Sequence, residues 1–425
     1  MGKVAKSSNK LLENKPAASQ MKIKTRSSII KVMGLTAGLM ILAAVFLFNS
    51  LQNSSHEDYR DSNFLKFWVA GHMILTGQNP YDSTQWYNEH IKLGASQVPD
   101  KIFLYPLPQA YLLVPLAMIP IGESFIIWGI FSQAIMAATC FVLLNHFATT
   151  GRNRLFYPLV VFLLFFGPIY LSLHVGSIGA IALAFLIVAI LLLERKKTLL
   201  AGIVLSMLIL KPSQGLPILF LAGCWFLFKQ DWRVIIGMGV GGLILLLSGL
   251  FVDPHWIQEF LNNSHAVSDR TLGLQSNIYS FAYLSCNKNI NCMWITGTIG
   301  LVFLLGLGVY YLWSNRERLT TWEAINIIVP LGFVSTIYLW SYDQLLYIFP
   351  IAWITVELVK TTRSYLVSFI FLLGLDILSF FSLAVQAETH ADLLSVTTTI
   401  LIIGLCLWLF HLKNSHPIDK PIPAA

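Results

Sequence analysis

The residues that could carry a reaction are few, and they fall in the intervals between apolar stretches. Asp58 and Asp61 sit in HEDYRDSNFLKFWVAGHMILTGQNPYD, the first long polar interval. A carboxylate partly shielded from water is basic enough to take a proton from a hydroxyl as that hydroxyl attacks. Lys211 in LKPSQG and Arg270 in RTLGLQSNIYSF are cations of the kind that stabilise charge on a departing anion. His72 and His174 add hydrogen-bonding rings. Asn63, Tyr105, Gln275, Tyr342 and Asp343 complete the set of polar candidates. Each has an ordinary alternative. Asp61 suits a helix N-cap, Lys211 can snorkel, Pro212 can simply break a helix, and Tyr and Trp populate interfacial belts. Singly, the ordinary readings carry more weight; the convergence of these residues in alternate loops is what points to a site.

The elements that must position them are membrane helices. The 425 residues are 56% hydrophobic and 12% charged, with a mean hydropathy of +0.68. A soluble domain carries about 25% charged residues. Hydropathy predicts twelve spans, at 32–50, 123–145, 156–172, 178–193, 198–210, 214–228, 234–252, 293–313, 322–340, 344–359, 364–385 and 393–411. The expected fold is an all-α polytopic bundle. A basic tail occupies 1–31, the membrane domain 32–412 and a short tail 413–425. The net charge of +7 does not indicate nucleic-acid binding, because eight basic residues lie in the tail before the first span. The region after that span lacks a small-residue cleavage pattern, so an uncleaved first helix is expected.

With the N-terminus inside, 21 of the 28 basic residues fall in inner segments, as the positive-inside rule requires. Seven remain outside: Arg60, Lys66, Lys92, Lys101, Lys211, Arg270 and Lys288. The segment PLPQAYLLVPLAMIP, broken by Pro106, Pro108, Pro115 and Pro120, is then re-entrant or lies on the outer surface. Residues 63–75 are expected to form an amphipathic helix in the interface. Cys286 and Cys292 are expected to face an oxidising compartment, where they are candidates for a short-loop disulfide. Cys140, Cys224 and Cys406 fall in spans and read as packing residues. No Cys/His spacing resembles a zinc site, and no Gly-rich phosphate loop follows a strand pattern, which argues against a cytosolic nucleotide-driven engine; neither metal nor cofactor is expected. Asp376, near the middle of LLGLDILSF, is an intramembrane acid, for which a hydrogen bond to a neighbouring helix is the simpler reading.

Four pieces resemble a known family. These are FWVAGHMILTGQNPYD (67–82), YPLPQAYLLVPLAMIP (105–120), LLAGIVLSMLILKPSQGL (199–216), and LQSNIYSF with SYDQLLYIFP. Together they are similar to polytopic glycosyltransferases of the GT-C fold, and more narrowly to glycosyltransferase family 87, the polyprenol-phosphate-mannose-dependent type. The resemblance implies inverting transfer of a hexose, mannose first, from a polyprenyl-phosphate sugar to a glycolipid or envelope-glycan acceptor. It places the site on the non-cytoplasmic face of a bacterial plasma membrane, with an Asp of the first outer loop as base. The family has Asp directly before the Phe that opens this segment; here Asn63 precedes Phe64, which moves the expected base to Asp61, with Asp58 as alternate. Leu107 replaces a second Pro, and Gly176-Ser177 stands where Gly-Gln is common. On this reading Lys211, Arg270 and His174 bind the donor phosphate. Asn63, His72, Tyr105, Gln275, Tyr342 and Asp343 position sugar or acceptor. A polytopic transporter or lipid flippase is the rival, and Asp376 favours it weakly.

Overall fold

The computed structural model describes residues 62–95, 98, 103–148, 152–268 and 273–415. The basic tail, the expected span at 32–50, Asp58, Asp61 and Arg270 lie outside the described residues. Three short helices come first: α1 (Asn63–Leu75), α2 (Ser83–Lys92) and α3 (Leu107–Ala117). The bundle then begins with α4 (Ile121–Phe147), α5 (Arg152–Phe165), α6 (Gly167–His174), α7 (Gly179–Glu194) and α8 (Thr198–Ser206). α8 runs on as one 3-10 turn, Met207–Leu210, and after Lys211 the chain reverses into α9 (Pro212–Phe228). Next come α10 (Trp232–Val252), α11 (Trp256–Ser268), α12 (Ile278–Ser285), α13 (Ile290–Ser314) and α14 (Thr321–Val334). A 3-10 segment, Ser341–Tyr347, leads into α15 (Ile348–Thr362), followed by α16 (Tyr365–Thr389) and α17 (Ser395–Ser415).

Among the described residues, six helices are long and apolar enough to cross a membrane: α4, α10, α13, the continuous Ser341–Thr362 element, α16 and α17. The chain is an integral membrane protein. A seventh span is broken, with the two halves Arg154–Leu163 and Gly167–His174 bent by 52°. The bend has a local cause. Pro168 cannot donate to the turn before it, and the Gly167 N–H is taken by Ser379 Oγ of α16 at 3.0 Å.

Four expected spans are too short to cross a bilayer as straight helices, and of these only the one expected at 322–340 is shorter than hydropathy suggested. α7, α9 and α14 have 16, 17 and 14 residues, and α8 with its 3-10 turn covers only Thr198–Leu210. At about 1.5 Å per residue these fall below the roughly 30 Å of a hydrocarbon core. The span expected at 322–340 stops at Val334, because the backbone at 337–341 bonds to side chains of other segments instead of continuing the helix.

The apolar residues form two cores. The larger fills the bundle around Leu183, Trp225, Phe333, Phe349 and Ile354. The second joins α1–α3 to the ends of α4, α7 and α11 through Phe64, Phe67, Trp68, Trp86, Phe103, Trp128 and Trp256. This corrects the expectation of an interfacial amphipathic helix at 63–75. α1 buries eight of its 13 residues, and Trp68 Nε1 donates to Leu116 O and Ile119 O, both at 3.1 Å. Its sequence, NFLKFWVAGHMIL, is apolar on nearly every face, which suits a helix packed on several sides. Each large side chain so buried contributes about 1.5–3 kcal/mol. Ser62, not Asp61, caps this helix, its Oγ accepting from Leu65 N at 3.4 Å.

The basic connections meet at the other end of the bundle. His146 lies 2.8 Å from Glu194 and stacks on Trp322 at 4.1 Å. Trp322 Nε1 donates to Glu194 at 3.0 Å, Lys229 to Arg316 O at 2.9 Å, and Lys413 pairs with Glu323 at 2.5 Å.

Candidate active site

The site is built on the α8–α9 hairpin. α8 lies tightly along α10, where Gly202, Gly237 and Gly241 allow backbone approach. At the tip, a Cβ on Gly215 would sit 1.9 Å from Leu208 O, so only glycine lets α9 start this close to the 3-10 turn. That contact fixes Lys211, the residue at the reversal. Its side chain does not snorkel outward: it is 5% exposed and forms an ion pair with Asp343, whose side chain is fully buried. Lys211 Nζ also reaches Ser177 Oγ at 3.4 Å and lies 5.5 Å from the centre of the Tyr342 ring. Ser177 Oγ accepts from Gly179 N at 3.2 Å, which places the start of α7 beside the ammonium. Helix N-termini favour negative charge. The Gln214 amide is buried within electrostatic reach of the Asp343 carboxylate.

Asp343 is placed by its own turn and by a clamp. Its N–H donates to Trp340 O at 2.9 Å, and its Oδ2 accepts from Trp340 N at 3.1 Å. The clamp comes from Gln275, Ser276 and Asn277. Gln275 Oε1 accepts from Leu339 N at 2.8 Å and Asn277 Nδ2 at 3.0 Å. Asn277 Nδ2 also donates to Ile337 O at 2.8 Å, and Ser276 N to Leu339 O at 3.2 Å. Thr336 Oγ1 donates to Ser213 O, tying this strand-like stretch to the hairpin tip. Asp392 Oδ2 accepts from Ser341 N.

The segment of α1–α3 packs beside the pair. Phe64 N donates to Val175 O at 3.3 Å. Gly176 has φ +63°, and a Cβ there would meet Phe64 Cβ at 2.6 Å, so turn and packing both require glycine. Tyr105 lies close enough to Tyr342 to interact electrostatically, packs edge-on to Phe67 at 5.1 Å and accepts from Tyr81 OH at its carbonyl at 2.7 Å. Beyond Tyr81, Glu259 Oε2 accepts from Asn79 Nδ2 at 3.2 Å. Burial, then the neighbouring Asp253 carboxylate, push the Glu259 carboxyl above the usual range, against the Asn79 hydrogen bond.

With this geometry in view, the family model of glycosyltransferase family 87 matches residues 103–336, more than half of the chain. The chain belongs to glycosyltransferase family 87. No curated protein and no solved structure is significantly similar to it. A family 87 glycosyltransferase is an enzyme that moves a sugar from a donor to an acceptor. The match includes Tyr105, His174, Lys211, Arg270 and Gln275; Asp58, Asp61, Asn63 and His72 precede it, and Tyr342 and Asp343 follow it.

In this family 87 chain the structure brings Lys211, Tyr342, Asp343 and Tyr105 together. Gln275 is close but occupied, its carbonyl oxygen serving the 337–341 backbone. Asn63 is the first residue of α1, and His72, in its last turn, stacks on Trp68 at 5.0 Å. His174 is exposed, its ring parallel to Tyr170 at 6.0 Å. Cys286 and Cys292 are disulfide-bonded, their Cα atoms 5.8 Å apart. Ser177 and Gln214 stand in the sequence only as members of motifs, and Asp392 is not among the residues that it singles out. The signal for Asp392 was an acid in a short polar break before the last apolar run.

Proposed function

We propose that this family 87 enzyme transfers a hexose, mannose first, from a polyprenyl-phosphate sugar to a lipid-linked or envelope-glycan acceptor. Transfer proceeds with inversion on the non-cytoplasmic face of a bacterial plasma membrane. The buried Lys211–Asp343 pair carries the reading. A desolvated ammonium neutralised by one carboxylate, beside a helix N-terminus, is a site where a phosphate can take the place of that carboxylate. The Asp343 so released bonds sugar hydroxyls, with Tyr342 and Tyr105 beside it. The donor's lipid tail lies between helices. The acceptor oxygen attacks the anomeric carbon as Asp61, or Asp58, takes its proton. The bond from that carbon to the phosphate oxygen breaks, and its electron pair leaves with the lipid phosphate, held by Lys211 and Arg270. The loops support the facing: the basic connections gather at the end away from this pair, as expected of a cytoplasmic side. Nucleotide sugars stay on that side, so a lipid-carried donor suits the other.

Purified protein in nanodiscs, given synthetic polyprenyl-phosphate sugars and a glycolipid acceptor, tests the reading. Transfer lost in Asp61→Asn and kept in Asp58→Asn supports it, and the reverse moves the base to Asp58. Movement of labelled lipid across the bilayer without cleavage of any glycosidic bond favours the transporter reading instead and overturns this one.

A further inference from the structure

The Leu339, Trp340 and Ser341 N–H groups are consecutive, and each is held by a different side chain: Gln275 Oε1, Asp343 Oδ2 and Asp392 Oδ2. Ordinary helix or sheet pairing supplies none of these bonds. Asp392 is 1% exposed, and every polar part of it but one is engaged. Its N–H donates to Leu274 O, and its carbonyl accepts from Ser276 Oγ, from Ser395 Oγ at 3.0 Å and from Ser395 N at 3.3 Å. Oδ1 alone is buried without a hydrogen bond. The backbone of Asp392 thus starts α17 and anchors the 274–276 stretch, while its side chain, which also meets Ser395, reaches a different segment. It fixes the residue two positions before Asp343.

We propose that Asp392 is a positioning residue for the transfer reaction, holding Ser341 so that Tyr342 and Asp343 meet Lys211 in register. Two observations separate this from a purely architectural role. Ser395 N, which opens α17, bonds the Asp392 carbonyl, so truncating the side chain keeps that backbone start, although it also removes an interaction of the carboxylate with the Ser395 side chain. In addition, the 3-10 segment that carries Asp343 has its own anchors to α17, with Gln344 Nε2 donating to Ser395 O at 3.0 Å and Tyr347 OH bonding Thr399 Oγ1 at 2.6 Å. Loss of the Ser341 bond therefore loosens the entry to that segment and leaves its far end seated. Burial pushes the Asp392 carboxyl up to about 7, so its neutral form is accessible near neutral pH, and asparagine is a fair replacement. The kinetic consequence of this role rests on the glycosyl-transfer reading; the backbone consequence does not.

The test compares Asp392→Ala, Asp392→Asn and Ser276→Ala in nanodiscs. Hydrogen–deuterium exchange of the 338–343 peptide and steady-state kinetics with a synthetic polyprenyl-phosphate sugar are both measured. Asp392→Ala is expected to speed exchange at 338–343 and to lower kcat by about tenfold or more, the scale on which small misplacements act. Donor KM rises and acceptor KM stays within about twofold. Asp392→Asn restores both protection and kcat to within about threefold, because its carbonyl still accepts from Ser341 N. Ser276→Ala, which keeps the Asp392 side chain, leaves the donor-to-acceptor KM ratio unchanged. Equal losses in the Ala and Asn variants, or unchanged exchange at 338–343 in Asp392→Ala, overturn the proposal. If wild-type protein transfers no sugar while the exchange pattern is as expected, the glycosyl-transfer reading fails and the positioning of Asp343 by Asp392 stands.

Discussion

The two ends of the bundle hold charge in opposite ways. At one end Lys211 and Asp343 are both withdrawn from solvent, and the turn beneath them is fastened by Gln275, Asn277 and Asp392. At the other end the ion pairs keep one foot in water: Lys413 is 49% exposed against Glu323, and half-buried Arg316 meets exposed Glu317. Exposed pairs contribute about 0–1 kcal/mol, whereas breaking a buried pair costs about 3–5 kcal/mol. A protein does not gain stability cheaply by burying a lysine with an aspartate. The difference teaches which charges are held by packing and hydrogen bonds and which are left to water.

The comparison is broken hardest by single substitutions of the buried pair. Asp343→Ala or Lys211→Met is expected to lower stability by about 3–5 kcal/mol, since each leaves an unpaired buried charge. The double variant Lys211→Met/Asp343→Leu is expected to regain much of the thermal midpoint while remaining without transferase activity. Recovery of activity in the double variant would remove the pair from the site. The next effect is the dependence on pH. The folded Asp392 carboxyl keeps its proton up to about 7, while an unfolded aspartate releases it near pH 3.9. Folding therefore takes up a proton between these values. This group's contribution is complete below about pH 4 and is lost as pH rises through 7, to a limit of roughly 4 kcal/mol. The detergent-solubilised protein should show a midpoint that falls over that interval, and Asp392→Asn should flatten the slope. Gly215→Ala is expected to destabilise by about 1–3 kcal/mol, because the new methyl group forces α9 off the 3-10 turn. Transfer should fall more than the midpoint does, since Lys211 moves with the tip. The smallest effect belongs to the far end, where Lys413→Ala is expected to change stability by about 1 kcal/mol or less and to leave transfer at the wild-type rate.

Much of this was legible in the sequence, and the failures are instructive. Apolar runs located the helices, and alternate loop charge separated the two ends. Hydropathy measures how apolar a run is, not how far it stays helical. It therefore counted 335–340 as part of a span, although that backbone leaves the helix to bond Gln275 and Asn277. Lys211 and Asp343 were both marked as chemical residues but given separate tasks, because a separation of 132 residues hides a contact. Ser62 took the cap that spacing assigned to Asp61. α1 read as an interfacial helix, since a second core covering its outer faces cannot be inferred from one helix's own periodicity. Asp392 escaped notice because an acid beside a helix start is ordinary in sequence; its use by Ser341, 51 residues away, is not.

Helices that fail to reach the full width of the bilayer have a further effect. α7, α9 and α14, with 14 to 17 residues each, extend roughly 21–26 Å, and they stand side by side with the α8 turn around Lys211. On the lipid-donor reading proposed above, helices this short would bring the Lys211 tip nearer the hydrocarbon than a full-length span does. The donor proposed above could meet such a tip without lifting its hydrocarbon stem out of the oil, which a water-dissolved sugar has no comparable way of doing.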